Sequence, residues 1–287
     1  MGLFSRNFDK PGPGVPKDQP RKKGAARFFE LFFRDFADLI KLNLIFCLIT
    51  APSAALFILG AAPYMMGFFE LNFVFLLLSL LLAFPIGGAI VAYVYYITRM
   101  MRDDPSYVWY EFKRKFKENV RQAAPVGIVC TAFVYMQIIM WFQVYFQMIS
   151  GEQTDSLLWF LLALFSLLVF AMITPYIFMH YAYIELKTLQ IVKNSMLMTF
   201  AYLPRSFMGA LIGGIMWVLM ALQFPDSLIM FPFIVLFLVS LSHLLTLSWV
   251  WPPFNKHFDI EETLKKRQEE ETEENATLLT KTTDTED

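Results

Sequence analysis

Six stretches of this chain are long and apolar enough to cross a bilayer, and none carries Asp, Glu, Lys or Arg near its centre. A hydrocarbon core about 30 Å thick is crossed by about 20 apolar residues in a helix. The runs are 39–59, 72–98, 123–148, 157–184, 206–223 and 228–250. Hydrocarbon offers no partner to a free backbone N–H or C=O, so such runs must close their own hydrogen bonds as helices. The chain is also 17% charged, against about 25% in a typical soluble domain, too little to cover a water-facing surface. The expected fold is therefore all-α and polytopic, with six transmembrane helices in three hairpins.

The distribution of charge gives these hairpins a side. Of 24 Lys and Arg, nine fall at or before Lys41, seven in 99–121, three in 187–205 and five from Lys256 onward. The short connectors "GAAPYMMGFFEL", "ISGEQTDS" and "LQFPDS" hold none and carry Glu70, Glu152, Asp155 and Asp226 instead. Basic loops are retained in the cytoplasm during insertion. Both termini are expected there, in a multi-pass protein of the plasma membrane. The organisation that follows is a cytoplasmic N-terminal segment 1–24, a transmembrane domain 25–255 and an acidic cytoplasmic tail 256–287. Disorder is expected beyond about residue 270 on composition. The start, "MGLFSRNFDKPGPGVPKDQPRKKGAARFF", lacks the basic-then-apolar order of a cleavable signal peptide.

The segment "MRDDPSYVWYEFKRKFKENVRQAAPVGIV" (101–129) lies between two spans and carries six Lys or Arg. Asp104-Pro105 reads as a helix start, Asp as N-cap and Pro at the first position. Trp109, Phe112, Phe116 and Val120 then form one stripe, with Arg121 closing the segment and Glu111, Arg114, Lys115 and Glu118 facing away. Such a helix would lie flat at the membrane interface, its aromatics in the acyl boundary. The other reading is a solvated loop whose aromatics pack on the bundle. Shifted by 80, the same pattern stands at Phe29, Phe32, Phe36, Ile40 and Lys41; a fainter copy, shifted by 84, is Met196, Phe200 and Arg205. A threefold repeat of interfacial helix plus hairpin would explain both. It would run in parallel topology, unlike the inverted repeats common in secondary transporters.

Polar residues within the spans are sparse, and no buried carboxylate suggests ion coupling. Gln137, His243, Ser242 and Thr246 could line a cavity or bond neighbouring helices. His180, beside Tyr181 and Tyr183, reads as an interfacial anchor, and His243 as a packing partner of a hydroxyl. Pro52, Pro85 and Pro175 fall within spans, where a missing N–H bends a helix. Kinks at Pro85 and Pro175 could together open a central cavity. Gly87 and Gly88 follow Pro85, and Gly209 and Gly213 have the G-x-x-x-G spacing of closely packed helices, which is compatible with a homo-oligomer. Cys47 and Cys130 lie in apolar runs without metal or redox spacing. Nucleotide-loop, hydrolase and zinc motifs are absent from the sequence. No catalytic residue, cofactor or metal is expected, and a net charge of −1 gives no bias toward nucleic acid.

The opening "MGLFSRNFDKPGPGV", "PIGGAIVAYVYYITRMMRDD" (85–104) and "YEFKRKFKENVRQA" (110–123) resemble the YesL-like family, integral membrane proteins of unknown function from Gram-positive bacteria. The resemblance runs to about residue 255. Members neighbour genes for carbohydrate ABC transporters and sensor kinases, so it implies a setting in carbohydrate utilisation and carries over no active-site residue. Two functions are expected on these grounds. One is a non-enzymatic accessory or regulatory subunit of such a complex in the bilayer; the other is a transporter or channel for a sugar or another neutral solute.

Overall fold

The structure is a computed structural model describing residues 21–65, 68–104, 106–150, 156–222, 234–267 and 269–270. Among these residues there is no strand. The helices are α1 (Gly24–Arg34), α2 (Phe36–Met65), α3 (Phe69–Leu82), α4 (Ile86–Met101), α5 (Val108–Ser150), α6 (Ser156–Tyr183), α7 (Thr188–Ala201) and α8 (Leu203–Leu222). A π-helical turn (Ile234–Leu238) then leads into α9 (Val239–Phe258). Among the described residues, four helices are long and apolar enough to cross a membrane: Phe36–Ala61, Val108–Tyr145, Leu157–Tyr183 and Leu236–Phe258. A fifth span results if Glu70–Leu82 and Ile86–Met101, bent by 47° at Pro85, count as one. The chain is a helical membrane protein. The expected run 206–223 corresponds to α8, while 151–155 and 223–233 lie outside the described residues.

α4 stands at the centre. Apart from Ile90 and Arg99 it is buried along its length, against α2, α5, α6 and α9. The outer helices turn large apolar groups outward instead: Leu48 is 76% exposed, Leu81 70% and Phe165 66%. Side chains of this kind, in contiguous faces, belong against acyl chains. Lipid is as apolar as the interior, so apolar character alone does not drive these helices together; close approach and polar bonds do. At the α4–α5 crossing Gly87 lies against Gly127 and the Ala123 carbonyl, with no room for a side chain on either glycine. At α8–α9, Gly209 and Gly213 face Thr246 and the Ser242 carbonyl. The G-x-x-x-G face read as compatible with a homo-oligomer is thus occupied by α9 of the same chain.

Three sequence readings change here. α5 is one helix of 43 residues, about 65 Å long and twice the hydrocarbon thickness, so the basic aromatic segment extends a span rather than forming a separate flat helix. It starts at Val108, not at Asp104-Pro105. Asp103 turns the chain through a left-handed conformation (φ 61°), and the Asp104 carboxylate is held by Arg99 at 3.0 Å instead of capping; Pro105 lies outside the described residues. The prolines also differ from one another. Pro85 breaks its span, whereas α2 and α6 run on through Pro52 and Pro175. The matched pair of breaks that would open a cavity is therefore not formed. Finally, the chain does not leave the fold at residue 256: residues 260–267 are helical, Ile260 is buried, and the Glu261 N–H donates to Asn255 Oδ1 at 3.0 Å.

Candidate functional site

The polar residues of the spans are engaged with one another. Asn43, Tyr93 and Ser240 are almost fully buried. Asn43 Oδ1 accepts the Ser240 N–H at 3.1 Å, where π-helical pairing gives way to α-helical. The Tyr93 hydroxyl donates to Ser240 Oγ at 2.6 Å, and that oxygen donates to the Leu39 carbonyl at 2.7 Å. This network ties α2, α4 and α9. Gln137 Nε2 donates to Ser166 Oγ at 2.7 Å between α5 and α6. Ser242 accepts from Trp217 Nε1 at 3.0 Å and donates to the Gly213 carbonyl at 2.8 Å, joining α8 to α9. Thr246 packs half-buried against Gly213.

Neither histidine stands as expected. His180 is wholly buried rather than an interfacial anchor: α7 folds back over it. Its Nδ1–H donates to the Tyr176 carbonyl at 2.8 Å, Ser195 Oγ lies 3.0 Å from the same nitrogen, and the ring packs edge-on to Phe254 and Phe258. His243 bonds the Val239 carbonyl of its own helix at 2.9 Å and packs on the Tyr93 ring, not on a hydroxyl. Ser242 and Thr246 serve the α8–α9 contact, Gln137 the α5–α6 contact, and His243 packs on α4.

What the fold does gather is charge, at one end of the bundle. Asp103, in the α4–α5 corner, receives three arginines: Arg27 at 2.7 Å, Arg21 at 3.1 Å, and Arg34. Arg21 also reaches Glu261 at 3.0 Å, beyond α9. A second group surrounds Glu111, bonded by Arg99 at 2.8 Å and Arg114 at 2.5 Å. The Glu111 side chain is only 8% exposed, contrary to its expected water-facing position. The buried face of α5 is in fact Val108, Glu111, Phe112 and Asn119. Phe112 and Phe116 pack toward the core, Trp109 is 62% exposed, and Arg121 is exposed. The expected stripe therefore divides between bundle and surroundings.

The electrostatics of this corner imply a pH dependence. Burial alone would raise the Asp103 carboxyl, but hydrogen bonds from Arg27 and Arg34 more than offset it and hold it below the ordinary carboxylate range. A depressed acid stabilises the folded state above its unfolded value of about 3.9, and that contribution is lost as pH falls through the folded value. We expect α1 to stay docked at pH 5 and to loosen below about pH 4, read as faster proteolysis before residue 36; Asp103→Asn should show the fast rate at neutral pH. Equal cleavage of both proteins at neutral pH would rule the corner out as the anchor.

Between these groups lies a cleft of about 1270 Å³, lined from the N-terminal segment, the α4–α5 corner, the α6–α7 loop and the stretch after α9. Gln122 closes one side by donating to the Leu186 carbonyl at 2.8 Å. No protein-family model, curated protein or solved structure matches the chain. Among the described residues no His, Cys, Asp and Glu cluster could hold a metal ion. Asp103 and Arg102, which line the cleft, do not stand out in the sequence. The one signal was "RMMRDD", where two arginines and two aspartates interrupt the end of an apolar run.

Proposed function

We propose that the chain is a non-enzymatic accessory or regulatory subunit in the plasma membrane, with its cleft end as the working face. The reading has six spans in three hairpins and both termini in the cytoplasm. Four separate cationic segments are brought round one cleft, and this carries the proposal: they are the same segments that the charge count assigns to one side. α1 and α7, each ending one residue before the helix that follows, fit the short helix that opens each unit of a threefold repeat, with the start of α5 as its second copy. The resemblance to YesL-like proteins supports a carbohydrate ABC transporter or sensor kinase as the partner. The transporter reading drew on Gln137, His243 and the hydroxyls, which are committed to helix contacts instead.

Two experiments test this. With Cys47 and Cys130 replaced, Lys113→Cys should react with an impermeant maleimide only after permeabilisation, and Asp155→Cys in intact cells; the reverse would overturn the orientation. Co-expressed with the membrane subunits of a carbohydrate ABC transporter, the protein should purify with them in fixed stoichiometry. Saturable uptake of labelled oligosaccharide by liposomes holding this chain alone would establish the transporter reading in its place.

A further inference from the structure

Arg102 carries a charge that only one distant carboxylate answers. Its side chain is 6% exposed, below the 14% of Arg99. The guanidinium carbon lies 5.8, 5.4 and 5.8 Å from the ring centroids of Tyr95, Tyr183 and Trp251. These rings hold a cation by their faces but offer no acceptor to the in-plane N–H groups. Nη1 is buried without a hydrogen-bond partner, and Asp104, the one carboxylate in reach among the described residues, stands 4.0 Å from Nη2. Arg99, one turn earlier, is by contrast paired with both Asp104 and Glu111. Arg102 lines the cleft, whose walls hold eight Lys or Arg against five Asp or Glu.

We propose that Arg102 is the base of an anion site in this cleft, binding the phosphate group of a lipid headgroup or of a soluble phosphoester. The planar fork of arginine matches two phosphate oxygens at once. Lys115, with Nζ 4.8 Å from the Tyr95 ring centroid, and Lys187 on the exposed rim add charge around it. The Tyr and Trp rings of the cage are the side chains that concentrate at headgroup depth in a bilayer. The proposal does not rest on the accessory-subunit reading.

The test uses the purified full-length protein. In neutral detergent, inorganic phosphate and glycerol phosphate are titrated against chloride at equal ionic strength, following thermal unfolding. In parallel, unfolding is compared in phosphatidylcholine nanodiscs with and without phosphatidylglycerol. A saturable rise in Tm with the soluble anions assigns the site to a phosphoester; a rise only with phosphatidylglycerol assigns it to a lipid headgroup. Arg102→Met replaces a weakly paired buried cation with an apolar chain of similar length, so it should keep its basal Tm while affinity falls by about tenfold or more. Lys187→Gln, on the rim, should weaken binding by up to about fivefold. No phosphate-dependent rise in any wild-type preparation, or an Arg102→Met response equal to wild type, would overturn the site.

Discussion

Gly127→Leu is expected to take the α4–α5 pair apart. A Cβ at position 127 would fall on the backbone of Gly87, and one at Gly87 would fall on the Ala123 carbonyl, so the obstruction is main chain and cannot rotate away. Overpacking a tight contact costs about 1–3 kcal/mol, occasionally more. Leucine here should reach the upper end, because α4 is enclosed by α2, α5, α6 and α9 and has nowhere to shift. The measurement is Tm and monodispersity in detergent. Gly214→Ala is the control: nothing lies within 4 Å of its added Cβ, and the substitution should be neutral or stabilising by up to about 1 kcal/mol. If both variants melt alike, the close approach of α4 to α5 is not what limits stability.

Asn43→Leu should have the next largest effect. Leucine is of similar size, so packing changes little, but the acceptor serving the Ser240 N–H disappears at a site where Asn43 is 0% and Ser240 1% exposed. An orphaned buried donor costs about 1–3 kcal/mol, although polar contacts between membrane helices often measure lower, about 0.6 kcal/mol on average. Because Tyr93 and Ser240 share the network, Tyr93→Phe and Asn43→Leu should be strongly non-additive in a double-mutant cycle. Additive losses would mean that the three residues do not act as one unit.

The same contrast separates what was legible in the sequence from what was not. The break at Pro85 could be read from its own chemistry, since a residue without an N–H weakens any helix around it. At Pro52 and Pro175 that chemistry is identical, yet the helices continue. The α5 stripe expected in the acyl boundary divides instead: Phe112 and Phe116 turn to the core while Trp109 stays exposed. An aromatic suits lipid, headgroup or core equally, so periodicity alone could not say which surface it met. His180 reads as interfacial from its own span alone, because α7, which buries it, lies beyond that span.

By itself, the sequence determined that this chain is helical and embedded in a membrane, and which segments carry its charge. These are local quantities, set by the length of apolar runs and the cost of burying an unpaired backbone group or ion. Only the tertiary structure decided that Asp103 would gather Arg21, Arg27 and Arg34, that Asn43 would meet Ser240, and that Arg102 would stand among three rings in the wall of a cleft. Those partners lie up to 197 residues apart along the chain. In a protein whose lipid-facing and inward-facing surfaces are equally apolar, no hydropathy pattern marks which face turns inward. Glycine notches and polar bonds between distant helices decide it.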